Sequence, residues 1–260
     1  MSRDDTSVKA VPLAQALLIF GVPGVAIYLG VHLLVPALVS YDVPLVYAWT
    51  LAVVGPTILN AGVVLGIYFQ REKPTLEQFV TRFRLQKPSP HLFWQVPLAA
   101  VTIALANDLV AWTVPYLRQI PPLAPPGIVP EIFADVYEAV GQGEVTTFMG
   151  ETLSPAKIWL VPFWLFFWVT LAVLGEELVW RGYVLPGQEV LYGKFAWLVN
   201  GLLWNLPFHL YTAHTLFSDM PLYFVLPLLV QWKKSTWLGI AVHSSLVSLA
   251  FILLIPGLLP

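Results

Sequence analysis

Long apolar runs broken by short polar segments set the pattern of this chain. A membrane-spanning helix needs ~20 mostly apolar residues. Runs of that kind lie near 12–39, 45–69, 92–117, 158–180, 195–212, 217–232 and 236–257. The pattern predicts an all-α fold, a polytopic transmembrane helix bundle of about seven spans, or six to eight. The sixth run is the shortest and holds Pro221 and Pro227. The first is too long for a signal-peptide core, so it is expected to stay as a membrane helix. Gly62 and Gly66 form a small-xxx-small pair, which predicts helix packing.

Composition agrees with this reading. The 260 residues are 58% hydrophobic and only 11% charged, far less charge than a soluble domain carries. An integral membrane protein is expected, with the plasma membrane as its location. The net charge of −2 gives no basic face for nucleic acid, and the lack of cysteine removes disulfides, thiolate nucleophiles and cysteine metal sites.

Loop charges set an orientation. Arg71, Lys73, Arg82, Arg84 and Lys87 cluster between the second and third runs; Lys194 follows the fourth run and Lys233 and Lys234 the sixth, so all fall on the same side if every run crosses. That side is expected to be cytoplasmic and to hold the N-terminus. The segment 118–157 carries Glu131, Asp135, Glu138, Glu144 and Glu151, and is expected outside as a linker or lid.

Ionisable groups in the apolar runs need a reason, because a bilayer disfavours them. The stretch LGEELVWRGYV, 174–184, holds Glu176, Glu177 and Arg181. Glu177 and Arg181 are four apart on a helix and can pair. Glu176 points about 100° away and has no local cation. Such an acid is either a protonated packing group or a general base. His209 lies in the fifth run with Asn205 one turn before it, and His243 lies in the last run. Glu176 and His209 are both about 15 residues from the turn that joins their runs, hence at similar depth.

One Glu and two His on three helices can activate water and stabilise an oxyanion. The same three, Glu176, His209 and His243, could instead ligate zinc, as His₂Glu sets do. HExxH and GxSxG are both absent. Buried acids and histidines also serve proton relays, so a proton-coupled transporter or a non-catalytic membrane scaffold are the rival classes.

The order of these residues resembles a known family. Glu176-Glu177-Leu178-Val179-Trp180-Arg181 has the form EExxxR, followed by Gly182, then His209 and His243 on later apolar segments. This is similar to the CPBP (CAAX protease and bacteriocin-processing, or Abi) family of Rce1-like intramembrane glutamate endopeptidases. The resemblance covers roughly 155–255, which would be the catalytic core, with 1–154 as N-terminal membrane helices and the outer loop. It implies that Glu176 activates water, that His209 helps hold it and that His243 helps build the oxyanion site. Glu177 and Arg181 would support them. It further implies no cofactor, with zinc as the alternative, and as partners membrane lipid and a lipidated or membrane-associated peptide or protein substrate, not nucleic acid. Two positions depart from the family pattern: Asn205 stands where Phe is common, and Val247 stands where Asn is common. Asn205, Ser244 or Ser248 are the groups expected to replace the missing amide.

Overall fold

The computed structural model describes residues 8–124, 147–148, 151–152 and 160–252. The acidic stretch EIFADVYEAV and most of 118–157 lie outside the described residues. The described chain is helical apart from a hairpin of two-residue strands, β1 (Thr147–Phe148) and β2 (Glu151–Thr152).

Among the described residues, three helices are long and apolar enough to cross a membrane, at Leu13–Ser40, Leu45–Glu72 and Leu92–Leu117. The first holds α1 (Leu13–Leu29) and α2 (Val35–Ser40), joined by a π stretch at Gly30–Leu34. The second is α3 (Leu45–Glu72). A short α4 (Leu76–Arg82) follows, opened by a capping box between Thr75 and Gln78. The third holds α5 (Leu92–Val110) and α6 (Val114–Leu117). The remaining four expected runs are helical but shorter or broken. One continuous helical path takes in α7 (Leu160–Phe167), α8 (Leu174–Glu177) and α9 (Leu185–Tyr192), with π stretches at Trp168–Val173 and Leu178–Val184 between them. Next comes α10 (Ala196–Leu203), which widens into a π stretch at Trp204–Phe208 and ends at His209. Then come α11 (Met220–Lys233) and α12 (Thr236–Ile252). Two of these π stretches hold Pro207 or part of the EExxxR motif, while Trp168–Val173 holds neither. A proline inside a helix removes a donor and crowds the preceding turn.

The core joins both halves of the chain. Phe20 of α1 stacks on Trp180 at 5.1 Å and 18°, and Trp180 meets Phe208 at 4.3 Å. Phe20, Ile27, Trp180, Trp204, Phe208 and Leu226 are all almost fully buried. Large apolar side chains such as Leu18, Leu59, Phe93 and Leu109 are instead exposed, as a lipid-facing surface requires. Gly62 and Gly66 do not pack within this chain: both are exposed, and an added Cβ would meet nothing within 4 Å. Spacing alone could not tell which face of α3 turns inward.

One end of the bundle is tied together by charge. Arg84 pairs with Glu189 at 2.7 Å, and Lys234 hydrogen-bonds the other Glu189 oxygen. Trp237 Nε1 donates to the Leu85 carbonyl at 3.0 Å. Arg82 donates to the Gly182 and Tyr183 carbonyls at 3.1 and 2.9 Å. Its burial lowers its pKa from the usual arginine value, although it stays a cation. Arg82 thus fastens α4 to the π stretch that contains Arg181. Arg82→Ala is expected to cost about 1.5–3 kcal/mol, the worth of hydrogen bonds from a charged donor. Denaturant unfolding in detergent checks this. Arg82→Lys should recover only part, since an ammonium lacks the planar fork.

Candidate active site

The site starts from one acidic turn on a membrane helix. Glu176 and Glu177 end α8, with a π stretch on either side. Glu177 and Arg181 are both 0% exposed. Arg181 Nε lies 3.5 Å from Glu177 Oε2, an ion pair without hydrogen-bond geometry. Glu177 Oε1 faces His243 Nδ1 at 3.1 Å. A carboxylate accepts only, so His243 Nδ1 carries the proton and Nε2 is left for other use. Glu177 therefore serves two partners, one on its own helix and one on α12. Gly239 makes that approach possible: a Cβ there would overlap Glu177 Oε2.

His209 is placed by a distorted turn. The π stretch Trp204–Phe208 contains Pro207 and ends at His209 with φ −92° and ψ 24°. His209 Nδ1 lies 2.9 Å from the Trp204 carbonyl oxygen. A carbonyl cannot donate, so Nδ1–H is the donor and Nε2 holds the lone pair. The Tyr223 ring stacks on the imidazole at 4.6 Å, and Tyr211 lies at 5.7 Å. These contacts fix the ring plane. Behind this segment, Gly24 of α1 lets the backbone come close, since a Cβ there would overlap the Pro207 carbonyl.

Trp204 is the hub that brings these groups together. The Arg181 guanidinium sits 3.7 Å from a Trp204 ring centroid, a cation–π contact in a desolvated setting. Trp204 also meets His243 at 5.2 Å, His209 at 5.6 Å and Tyr223 at 4.7 Å. Glu176 is 8% exposed, and its carboxyl is in interaction range of Trp204, Glu177 and Arg181. Its Oε2 is buried with no hydrogen-bond partner.

The other expected residues fall as follows. One N–H of the Asn205 amide is taken: Nδ2 donates to the Leu216 carbonyl at 3.3 Å. The π turn between Asn205 and His209 breaks the α spacing that predicted a shared face. Ser244 Oγ is buried without a partner, while Val247 packs against the apolar core. Among the described residues, no three His, Asp or Glu side chains are grouped to hold a metal ion. Sequence reasoning missed Trp204, Tyr223 and Gly239. Gly239, one turn before His243, was the one readable signal, since small residues mark close helix approach.

Fold and site together define a helical integral membrane protein with a desolvated Glu, Arg and His cluster in its second half. Residues 157–249 match the family model described as type II CAAX prenyl endopeptidase Rce1-like. That segment is similar to the Rce1-like family, which is a family of proteases. Comparison with curated proteins and with solved structures gave no match.

Proposed function

We propose that this chain is an intramembrane endopeptidase that hydrolyses a peptide bond of a lipidated or membrane-associated protein or peptide. The observation that carries this reading is Glu176, a buried acid with a free oxygen beside a paired Glu177, Arg181 and His243, within a segment similar to the Rce1-like family.

In this mechanism Glu176 takes a proton from water, and the His209 Nε2 lone pair accepts a hydrogen bond from the water's second hydrogen. The water oxygen bonds to the scissile carbonyl carbon, and the C=O π electrons move to oxygen. His243, protonated on both ring nitrogens in this step, donates Nε2–H to the resulting oxyanion, and Glu177 at Nδ1 offsets the charge on the ring. Glu176 then returns its proton to the amide nitrogen, and the C–N bond breaks to give a carboxylic acid and an amine, which exchange the remaining proton and leave as carboxylate and ammonium. No metal or cofactor takes part. The end that holds Arg84, Glu189 and Lys234 lies in the cytoplasm under this reading. The ion pair between Lys9 and Glu72 puts the N-terminal segment at the end of α3, next to the basic loop.

The test compares peptide termini in membranes of cells making wild type or Glu176→Ala at matched levels, with and without a chelator. New termini only with wild type, indifferent to chelation, support the reading. Loss on chelation, restored by zinc, would move the chemistry to the metal alternative. Val247 in place of Asn favours a second reading, a non-catalytic member acting as a scaffold or proton-coupled transporter. Identical termini in both samples, with folded protein, would favour it.

A further inference from the structure

The backbone just after the acidic motif cannot close all its own hydrogen bonds in a regular helix. Where the π stretch ends, the Leu185 N–H bonds the Trp180 carbonyl, five residues back rather than four. Pro186 comes next and has no N–H. The Gly182 carbonyl therefore lacks the donor that an α-helix would offer four residues on. A carbonyl left alone inside a packed bundle costs free energy.

Arg82 meets that need from a distant part of the chain. Its Nη1 donates to the Gly182 carbonyl at 3.1 Å and its Nη2 to the Tyr183 carbonyl at 2.9 Å. The planar fork of one guanidinium spans two successive carbonyls. The surroundings are shaped for this approach. Phe83, the next residue, is fully buried, and a Cβ on Gly182 would lie 2.7 Å from its ring. The guanidinium also lies 5.0 Å from the Tyr183 ring centroid. Asn200 of α10 holds the same stretch from another helix. It is 0% exposed, and Nδ2 donates to the Trp180 carbonyl at 3.2 Å and to Gln188 Oε1 at 2.9 Å. Arg181 thus sits between the held carbonyls of Trp180 and Gly182. Its Nε lies 3.5 Å from Glu177 Oε2, and Glu177 Oε1 holds His243 Nδ1 at 3.1 Å.

We infer that Arg82 is a positioning residue for the reaction, fixing the wide turn that aims Arg181 and, through Glu177, the ring of His243. This inference rests on the endopeptidase reading. Without the fork, the stretch is free to change its register, and Arg181 turns with it. Misplacing a reacting group by about 1 Å can cost ~10²-fold, even from a change far from the chemistry. The role involves no substrate contact, so the loss belongs in kcat rather than KM.

The test uses the whole chain in proteoliposomes and an internally quenched peptide with an S-prenylated cysteine in a CAAX terminus, with rates taken per folded protein. In Arg82→Ala, kcat is expected to fall ~10²-fold with KM within about twofold of wild type. Arg82→Lys should lose about tenfold, since an ammonium is a point donor without the fork. Arg84→Ala is the control: it removes a neighbouring cation that pairs with Glu189 rather than with these carbonyls, and it should keep its kcat. An unchanged kcat in Arg82→Ala, a rise in KM alone, or equal losses in Arg82→Ala and Arg84→Ala would overturn the inference. Should Arg82→Ala not fold, Arg82→Lys decides by the same criteria. A second readout needs no cleavage. The drop in denaturant midpoint caused by Arg82→Lys should be smaller in a Glu177→Gln background than in wild type, whereas Arg84→Ala should cause the same drop in both. Equal drops for Arg82→Lys in both backgrounds would mean that Arg82 does not act on the Arg181 cluster. If wild type and Glu176→Gln are equally inactive, the endopeptidase reading falls, and the unfolding comparison alone decides whether Arg82 sets that cluster.

Discussion

Glu176→Gln is expected to lower kcat by ~10²–10⁴-fold, the range a positioned general base supplies. The replacement keeps shape and volume, but an amide cannot accept the water's proton. Its effect on stability should be small or favourable. Glu176 is buried beside Glu177, and its free oxygen has no hydrogen bond to lose. Activity and stability should therefore separate in this variant. Single-turnover cleavage of the prenylated peptide and denaturant unfolding, run on the same preparation, check both halves. A Gln variant that cleaves at the wild-type rate would remove Glu176 from the chemistry.

Glu177→Ala has the opposite character. Its side chain holds Arg181 at 3.5 Å and His243 at 3.1 Å, all deep in the bundle. Removing one partner of a buried pair leaves the other charge uncompensated, at a cost of ~3–5 kcal/mol. Glu177→Ala is thus expected to unfold at much lower denaturant and to lose activity with the position of His243. Adding Arg181→Met should restore much of the stability, because no buried charge is then left alone. It should not restore activity, since His243 still lacks its acceptor. A double-mutant cycle on unfolding free energy measures the coupling. A single-variant cost below about 1 kcal/mol, typical of exposed pairs, would show that the trio does not hold the site together.

What the sequence made legible follows from distance along the chain. The first three spans were readable because an apolar run of the right length has few other uses. The Glu177 and Arg181 pair was readable because four residues bring two side chains together on one helix turn. The partner of His243 was not, because that contact joins residues 66 apart and depends on Gly239 letting α12 come close. The bearing of Asn205 was not legible either, for a local reason. The spacing rule assumed an α turn, whereas Pro207 sits in a π stretch that changes which side chains share a face. Trp204 gave no signal at all, since tryptophan in an apolar run is ordinary. Its place among Arg181, His209 and His243 comes only from how three helices converge.

The wide turns on either side of Glu176 have a consequence for anyone moving this helix to another scaffold. An ideal α-helix advances about 100° per residue, so its angular phase is fixed by counting. The path from Leu160 to Tyr192 is not ideal, because π stretches at Trp168–Val173 and Leu178–Val184 reset the count twice. Grafting the eleven letters of 174–184 onto a regular helix would copy the residues and lose their bearings. Glu176 and Arg181 would point along directions that their native neighbours do not occupy. A transplant must therefore carry the irregular backbone as part of the motif, and a one-residue deletion in either stretch would act as a rotation of the acid rather than a shortening of the helix.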